Sequence, residues 1–90
     1  MEVRISVNKM NSGRMQISAR RLGLGVSTGP VVTYKQESDV RKVLSALGFG
    51  ERLINDQLQV LAEIGPNELL HFPDSNIPED VLRANGFIAL

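Results

Sequence analysis

The single histidine is the first candidate for chemistry, because imidazole exchanges a proton near neutral pH more readily than other side chains. His71 lies in the stretch LLHFP, and Asp74, Glu79 and Asp80 follow it closely. These groups suggest acid–base chemistry. However, the sequence contains no recognisable nucleophile motif and no second histidine for a metal. We therefore expect a strand histidine held by a hydrogen bond, and we expect no enzymatic activity, metal or cofactor.

Three glycines in residues 20–30, RRLGLGVSTGP, raise the question of phosphate binding. A dinucleotide fingerprint requires G-x-G-x-x-G between a strand and a helix, and a Walker loop requires Gly-Lys-Ser/Thr. Here Gly23, Gly25 and Gly29 have the wrong last spacing, no lysine follows them, and Pro30 leads into a β-type segment. The glycines are therefore predicted to let the chain turn between two strands.

A basic polar face is the more defensible candidate site. Apolar and polar residues alternate over positions 3–7 and again over 15–19, which predicts a β-hairpin with one apolar and one basic face. With Asn8, the residues assigned to this face or its margin are Arg4, Arg14, Gln16, Arg20, Arg21 and Lys35. Such a face suits RNA, DNA or an acidic protein surface, or it is simply solvated. Binding of single strands on a sheet normally uses aromatic platforms, and Tyr34 is the only nearby aromatic residue.

The elements that position this face follow from the same pattern. Asn11–Gly13 supplies turn residues for the hairpin, and Val31–Tyr34 predicts a third strand. The alternation slips after position 19. An extra residue at 20–21, as in a β-bulge, would return Leu22 and Leu24 to the buried side.

Two helices are predicted next. Ser38 is the expected N-cap of the first helix, and Gly48 is its expected stop. Its buried stripe is Val40, Val43, Leu44 and Leu47. The second helix is predicted over residues 51–64, with apolar residues on more than one stripe. We expect it to pack on two sides, against the sheet and against either the first helix or another copy of the chain.

The segment Leu44–Asp56 has the local pattern of a helix-turn-helix. Its turn, LGF, also resembles the first loop of ubiquitin-associated and related three-helix domains, over a stretch too short to assign a family. A helix that reads DNA presents basic and amide groups amid phosphate contacts. This helix carries Arg52 but also Glu51, Asp56 and Glu63. An ordinary helical hairpin is therefore predicted.

The last part of the chain predicts short elements. LLHF, residues 69–72, suits a short strand, and Asn76–Glu79 resembles a capping box with Asn76 as the cap. The helix that follows is predicted to run through Ala84 and to end at Asn85–Gly86. The apolar FIAL, residues 87–90, is expected to be a strand on the sheet or a tail in a groove.

Composition sets the frame for these elements. The chain has 90 residues, 42% of them apolar, with no cysteine and a formal net charge of zero. We expect one α+β domain over 1–90, with an antiparallel sheet of three to five strands covered on one face by a helical hairpin and a short third helix. The absence of cysteine excludes disulfides and thiolate metal sites. No apolar stretch is long enough for a membrane span or typical of a signal peptide, so a cytoplasmic location is predicted.

Charge is unevenly distributed between the two halves of the chain. Residues 1–45 contain eight basic and three acidic groups, net +5, whereas residues 46–90 contain two basic and seven acidic groups, net −5. The balance argues against strong nonspecific nucleic-acid binding but leaves room for a basic face. We expect a noncatalytic protein-interaction or regulatory module whose partner is another protein or a second copy. The alternative is a nucleic-acid-binding domain that uses the basic face of the hairpin.

Overall fold

The first two strands form the predicted hairpin. The computed structural model describes residues 1–23 and 28–87, the side chains of 28–30 excepted. Strands β1 (Glu2–Lys9) and β2 (Met15–Arg21) pair antiparallel in one unbroken register, from Val3 opposite Arg21 to Lys9 opposite Met15. The alternating side chains therefore separate onto two faces, as the sequence predicted.

Strand β3 (Thr28–Tyr34) pairs antiparallel with β2 and starts earlier than predicted. Ser18 lies opposite Val31, but Arg20 lies opposite Thr28, so two steps along β2 correspond to three along β3. The extra residue is therefore in β3, and the bulge predicted at Arg20–Arg21 is wrong. Pro30 has no amide hydrogen for the ladder, and an irregular edge strand tolerates that loss better than a regular central strand.

The bulge was predicted in order to return two leucines to the buried side. Leu22 is half-buried in the structure, and Leu24 lies outside the described residues. The unbroken pairing of β1 with β2 leaves no extra residue on β2 to change the side on which Leu22 lies.

Two very short strands complete the described sheet. Strands β4 (Leu70–His71) and β5 (Ser75–Asn76) both pair antiparallel with β1, giving a path β3-β2-β1-β4 with β5 beside β1. β4 confirms a short strand within LLHF, whereas β5 was not predicted. β1 is thus central, although it comes first in the chain.

Helix α1 (Glu37–Ala46) and helix α2 (Glu51–Glu63) form the predicted helical hairpin. α1 starts two residues earlier than expected: Gln36 is its N-cap, and the Ser38 hydroxyl donates to the Gln36 side chain at 3.3 Å instead of capping the helix. The stop is as predicted, because Gly48 has φ of 101°, a conformation that glycine adopts without steric penalty.

Helix α3 (Glu79–Ala84) also differs from its predicted start. Pro78 is its N-cap, so the prediction of Asn76 as the cap is wrong. Asn76 belongs to β5, and its Oδ1 accepts a hydrogen bond of 2.6 Å from the Met1 ammonium group. The end of the helix is as predicted, with Gly86 at φ of 86°.

The helices pack against one face of the antiparallel sheet, and this confirms the predicted α+β arrangement. α1 contacts β2 and β3, while α2 contacts β1 and α1. Leu82 of α3 lies in the same hydrophobic core as Ile5 and Leu44, and the rings of Phe49 and Phe72 are 4.8 Å apart at their centroids. Phe87 is buried too, but the end of the predicted terminal segment, 88–90, lies outside the described residues.

Candidate binding groove on the open sheet face

The sheet has a covered face and an open face. The odd-numbered apolar residues of β1 and β2, such as Ile5 and Ile17, are buried beneath the helices. The even-numbered positions project to the other side because side chains alternate along a strand. We call this side the open face. Its described members on the three long strands are Glu2, Arg4, Ser6, Asn8, Gln16, Ser18, Arg20, Val31 and Thr33.

Three of the predicted binding residues lie together on the open face. Arg4 and Arg20 are direct cross-strand partners, and Gln16 lies between Asn8 on β1 and Thr33 on β3. The Gln16 amide donates to the Thr33 hydroxyl at 3.3 Å. Opposed side chains in such pairs have Cβ atoms about 4.5–5.5 Å apart, so the two guanidinium groups start from neighbouring points on the sheet.

The other three predicted residues lie elsewhere. Arg14 is exposed in the hairpin connection, and Lys35 is exposed immediately after β3. Arg21 is half-buried opposite Val3, so strand alternation places it on the covered face at the end of β2. The basic surface predicted from the sequence is therefore smaller in the structure.

Arg4 is already paired within the chain. Its Nε and Nη2 donate to the two carboxylate oxygens of Asp74, at 2.9 and 3.3 Å. These hydrogen bonds hold the pKa of the Asp74 carboxyl below its usual value, and the same contact raises the pKa of the Arg4 guanidinium. Because the pair is exposed, it contributes little to folding stability. It does reduce the positive charge that Arg4 offers to a ligand.

A groove of about 470 Å³ lies in the middle of the open face. Two small side chains, Ser6 on β1 and Ser18 on β2, are opposite each other and form its floor. Val31 lines one side, 55% exposed, and Leu69 lines the other, 56% exposed. The depression arises because the central strands carry serine while larger side chains flank them.

One end of the groove carries a cation and the other carries amides. Arg20 lies two positions along β2 from Ser18, and Gln16 lies two positions along in the opposite direction. Asn8, paired with Gln16, also lines the groove. Among the described residues, no carboxylate lies within ion-pair distance of Arg20. The groove is therefore polarised along the strands.

His71 completes the wall on the β4 side. It lies opposite Ser6, and its Nδ1 is 2.6 Å from the Ser6 Oγ. The side chain of Gln57 on α2 donates to the His71 carbonyl oxygen at 3.1 Å. These contacts fix the strand and orient the imidazole, so one ring nitrogen and the Ser6 hydroxyl are engaged with each other. The predicted hydrogen bond to a strand histidine is thus present, although His71 is exposed.

The other sequence candidates do not converge on a second site in the described structure. Pro30 continues into β3, so no helix follows the glycine stretch, and Gly25 lies outside the described residues. On α2, the side chain of Asn55 accepts a hydrogen bond from Arg41 of α1. This amide of the helical hairpin is therefore bonded to the neighbouring helix. Within residues 1–23 and 28–87, no cluster of three or more His, Asp or Glu side chains is arranged to hold a metal ion. Of the described helices, none has the length and apolar character of a membrane span.

No protein-family model, curated protein or solved structure matches the chain. A role for the groove must therefore be argued from its own residues and geometry.

The sequence pattern identified the face but missed the groove. Ser6 and Ser18 occupy polar positions of the alternating pattern, and two small residues flanked by larger ones signal a depression. Leu69 and His71 reach the site through the pairing of β4 with β1, across 65 positions from Ser6 to His71. No local pattern encodes that register.

Proposed function

We propose that this protein is a noncatalytic protein-interaction module that binds its partner through the groove in the open face. The observation that carries the proposal is the combination of a small serine floor with two well-exposed apolar walls, Val31 and Leu69. Protein-binding sites typically combine apolar contact area with a few directed polar groups. The partner is another protein or a second copy of the chain, and we propose a cytoplasmic, regulatory setting for it.

Charge favours a protein partner over a nucleic acid. Binding to a phosphate backbone depends on several cations acting together. On the open face, Arg4 is neutralised by Asp74, and Arg14 and Lys35 lie outside the groove. Single-strand binding on a sheet also relies on aromatic stacking, and the described residues of the open face include no Phe, Tyr or Trp, while the His71 imidazole is held by Ser6.

The Ser6–His71 contact favours binding over catalysis. A serine nucleophile requires donors placed to stabilise the developing oxyanion. Ser6 lies in the middle of β1, which is paired with β2 on one side and β4 on the other, so its neighbouring amides face sheet partners. Because the residue is only 7% exposed, Ser6 is suited to orienting His71 rather than to attacking a substrate.

Peptide selection with a groove-filling variant tests the proposal. Random linear peptides are selected by phage display on the wild-type protein, and their affinities are measured for Ser18→Tyr and for a matched control, Ser38→Tyr. Tyrosine suits a strand, so the first variant is expected to fold while filling the groove. Ser38 is exposed on α1, in the opposite layer. We expect binding to weaken at least about tenfold for Ser18→Tyr, or about 1.4 kcal/mol, and to be unchanged for the control.

Two results would count against the proposal. One is the absence of any selected peptide whose binding perturbs the backbone amide resonances of the groove residues. The other is tighter binding of random-sequence single-stranded DNA at the same face, with a steep dependence on salt. That second result would support the alternative function, nucleic-acid binding.

A further inference from the structure

The composition of the groove also indicates what kind of peptide it takes, an inference that rests on the proposed function. We infer that the groove binds an extended peptide in which a carboxylate pairs with Arg20 while a large apolar side chain, two residues away, lies over the serine floor. The carboxylate belongs to an aspartate or glutamate of the partner. Charge, shape and spacing each support one part of this ligand.

Two opposed arginines set the charge of the groove. Arg4 and Arg20 are cross-strand partners, and like charges directly opposite each other destabilise a sheet. Asp74 neutralises Arg4 through a two-point ion pair. No carboxylate of the described residues forms an ion pair with Arg20, which is exposed at the end of the groove. A carboxylate from a ligand supplies the missing partner in the geometry that guanidinium favours.

The shape of the groove fits a large apolar side chain over the serine floor. A volume of about 470 Å³ is within the range of small ligand sites and is large enough for one aromatic or long aliphatic side chain. Covering Val31 and Leu69 removes exposed apolar surface from water. Covering Ser6 has little cost, because its hydroxyl is already bonded to His71 and does not lose its partner when water leaves.

The spacing of the ligand's two side chains follows from the geometry of β2. Arg20 and Ser18 are two positions apart on β2, which corresponds to about 6.8 Å along a strand. An extended ligand that lies along the groove repeats this distance between its residues i and i+2. The order acid–x–apolar fits one direction of the ligand chain, and apolar–x–acid fits the other.

Synthetic peptides test each part separately. The probes carry Asp-Ser-Phe or Phe-Ser-Asp between glycine–serine flanks. The comparison peptides replace Asp with Asn, or place Asp and Phe next to each other. Affinities are measured by titration at low salt against the wild type, Arg20→Gln and a matched control, Arg52→Gln, with folding checked by circular dichroism. Arg52 is exposed on α2, so Arg52→Gln removes the same charge as Arg20→Gln but from the opposite layer.

We expect at least one spaced Asp peptide to bind the wild type about tenfold more tightly than its Asn counterpart, a difference typical of a charge-assisted contact. Arg20→Gln is expected to abolish that difference, and Arg52→Gln to preserve it. The inference is overturned if Arg20→Gln binds the Asp peptide as tightly as the wild type does. It is overturned equally if the adjacent Asp-Phe peptide binds as well as the spaced ones, or if the Asn peptides match the Asp peptides.

The acidic ligand and the interaction module are refuted by different results. Display-selected peptides that occupy the groove but are insensitive to Arg20→Gln would overturn the acidic ligand and leave the interaction module standing. Loss of all peptide binding at the groove, in both the display and the synthetic series, would overturn both.

Discussion

Two apolar side chains on the helical layer provide the sharpest test of how that layer packs. Leu44 on α1 is fully buried, whereas Val60 on α2 is 41% exposed. Truncating a buried leucine to alanine removes its burial and leaves a cavity, at a cost of about 2–5 kcal/mol. Since a domain of this size has a total stability of roughly 5–14 kcal/mol, we expect Leu44→Ala to lose a large share of it. A loss of about 3 kcal/mol lowers the melting temperature by roughly 12–24 °C.

Val60→Ala is the matched control, because it shortens an apolar helix residue that lies in water. We expect a change within about 0.5 kcal/mol. Urea denaturation followed by circular dichroism, at low and high protein concentration, measures both variants. A Leu44→Ala cost below about 1 kcal/mol would refute the assignment of Leu44 to the core. A concentration-dependent destabilisation by Val60→Ala would refute the exposure of Val60 and indicate that this side chain is buried between copies of the chain.

Two further predictions concern charge and backbone. The Asp74 carboxyl is expected to titrate below the usual aspartate range in NMR, and Arg4→Gln should move its midpoint upward. Because the pKa of Asp74 is lower in the folded state than in the unfolded state, the stabilisation from this pair is fully present above the unfolded-state pKa. It is lost as the pH falls through the folded-state pKa. A difference in unfolding free energy between wild type and Arg4→Gln that does not change with pH in acid would contradict this. Gly48→Ala should destabilise the fold by about 1–2 kcal/mol because φ is positive at that position. Gly50→Ala should be near neutral, because Gly50 has φ of −71°. Equal melting temperatures for the two variants would argue against the left-handed turn at Gly48.

Local patterns predicted the long elements well. The hairpin follows from period-two alternation, and the two main helices follow from apolar stripes that end at glycine. The errors came where two local signals competed. Ser38 and Asn76 both have good capping side chains, yet neither caps a helix. Ser38 lies within the first turn of α1, and Asn76 lies in strand β5. Cap preference is worth only about 1 kcal/mol, so strand pairing and helix packing override it.

The candidate site was less predictable for a different reason. Arg4 and Arg20 could be assigned to one face from alternation alone. The neutralisation of Arg4 could not be predicted in this way, because Asp74 is 70 positions away in the chain. Likewise, the walls of the groove belong to β3 and to the segment before β4, so they meet only after the sheet is assembled. The sequence therefore overestimated the charge of this face and did not indicate its concavity.

The central place of β1 sets an order of events during synthesis. Its pairing with β2 needs only the next stretch of chain, so the hairpin can form as soon as those residues leave the ribosome. Its other side pairs with β4 and β5, whose residues follow their partners on β1 by 63 to 74 positions in the chain. Until β4 and β5 are made, the middle of the future sheet is an unpaired edge, which is prone to pairing with other chains. For this fold, the hazard of misassembly is concentrated in the nascent chain, and the pairing of β4 and β5 with β1 removes it.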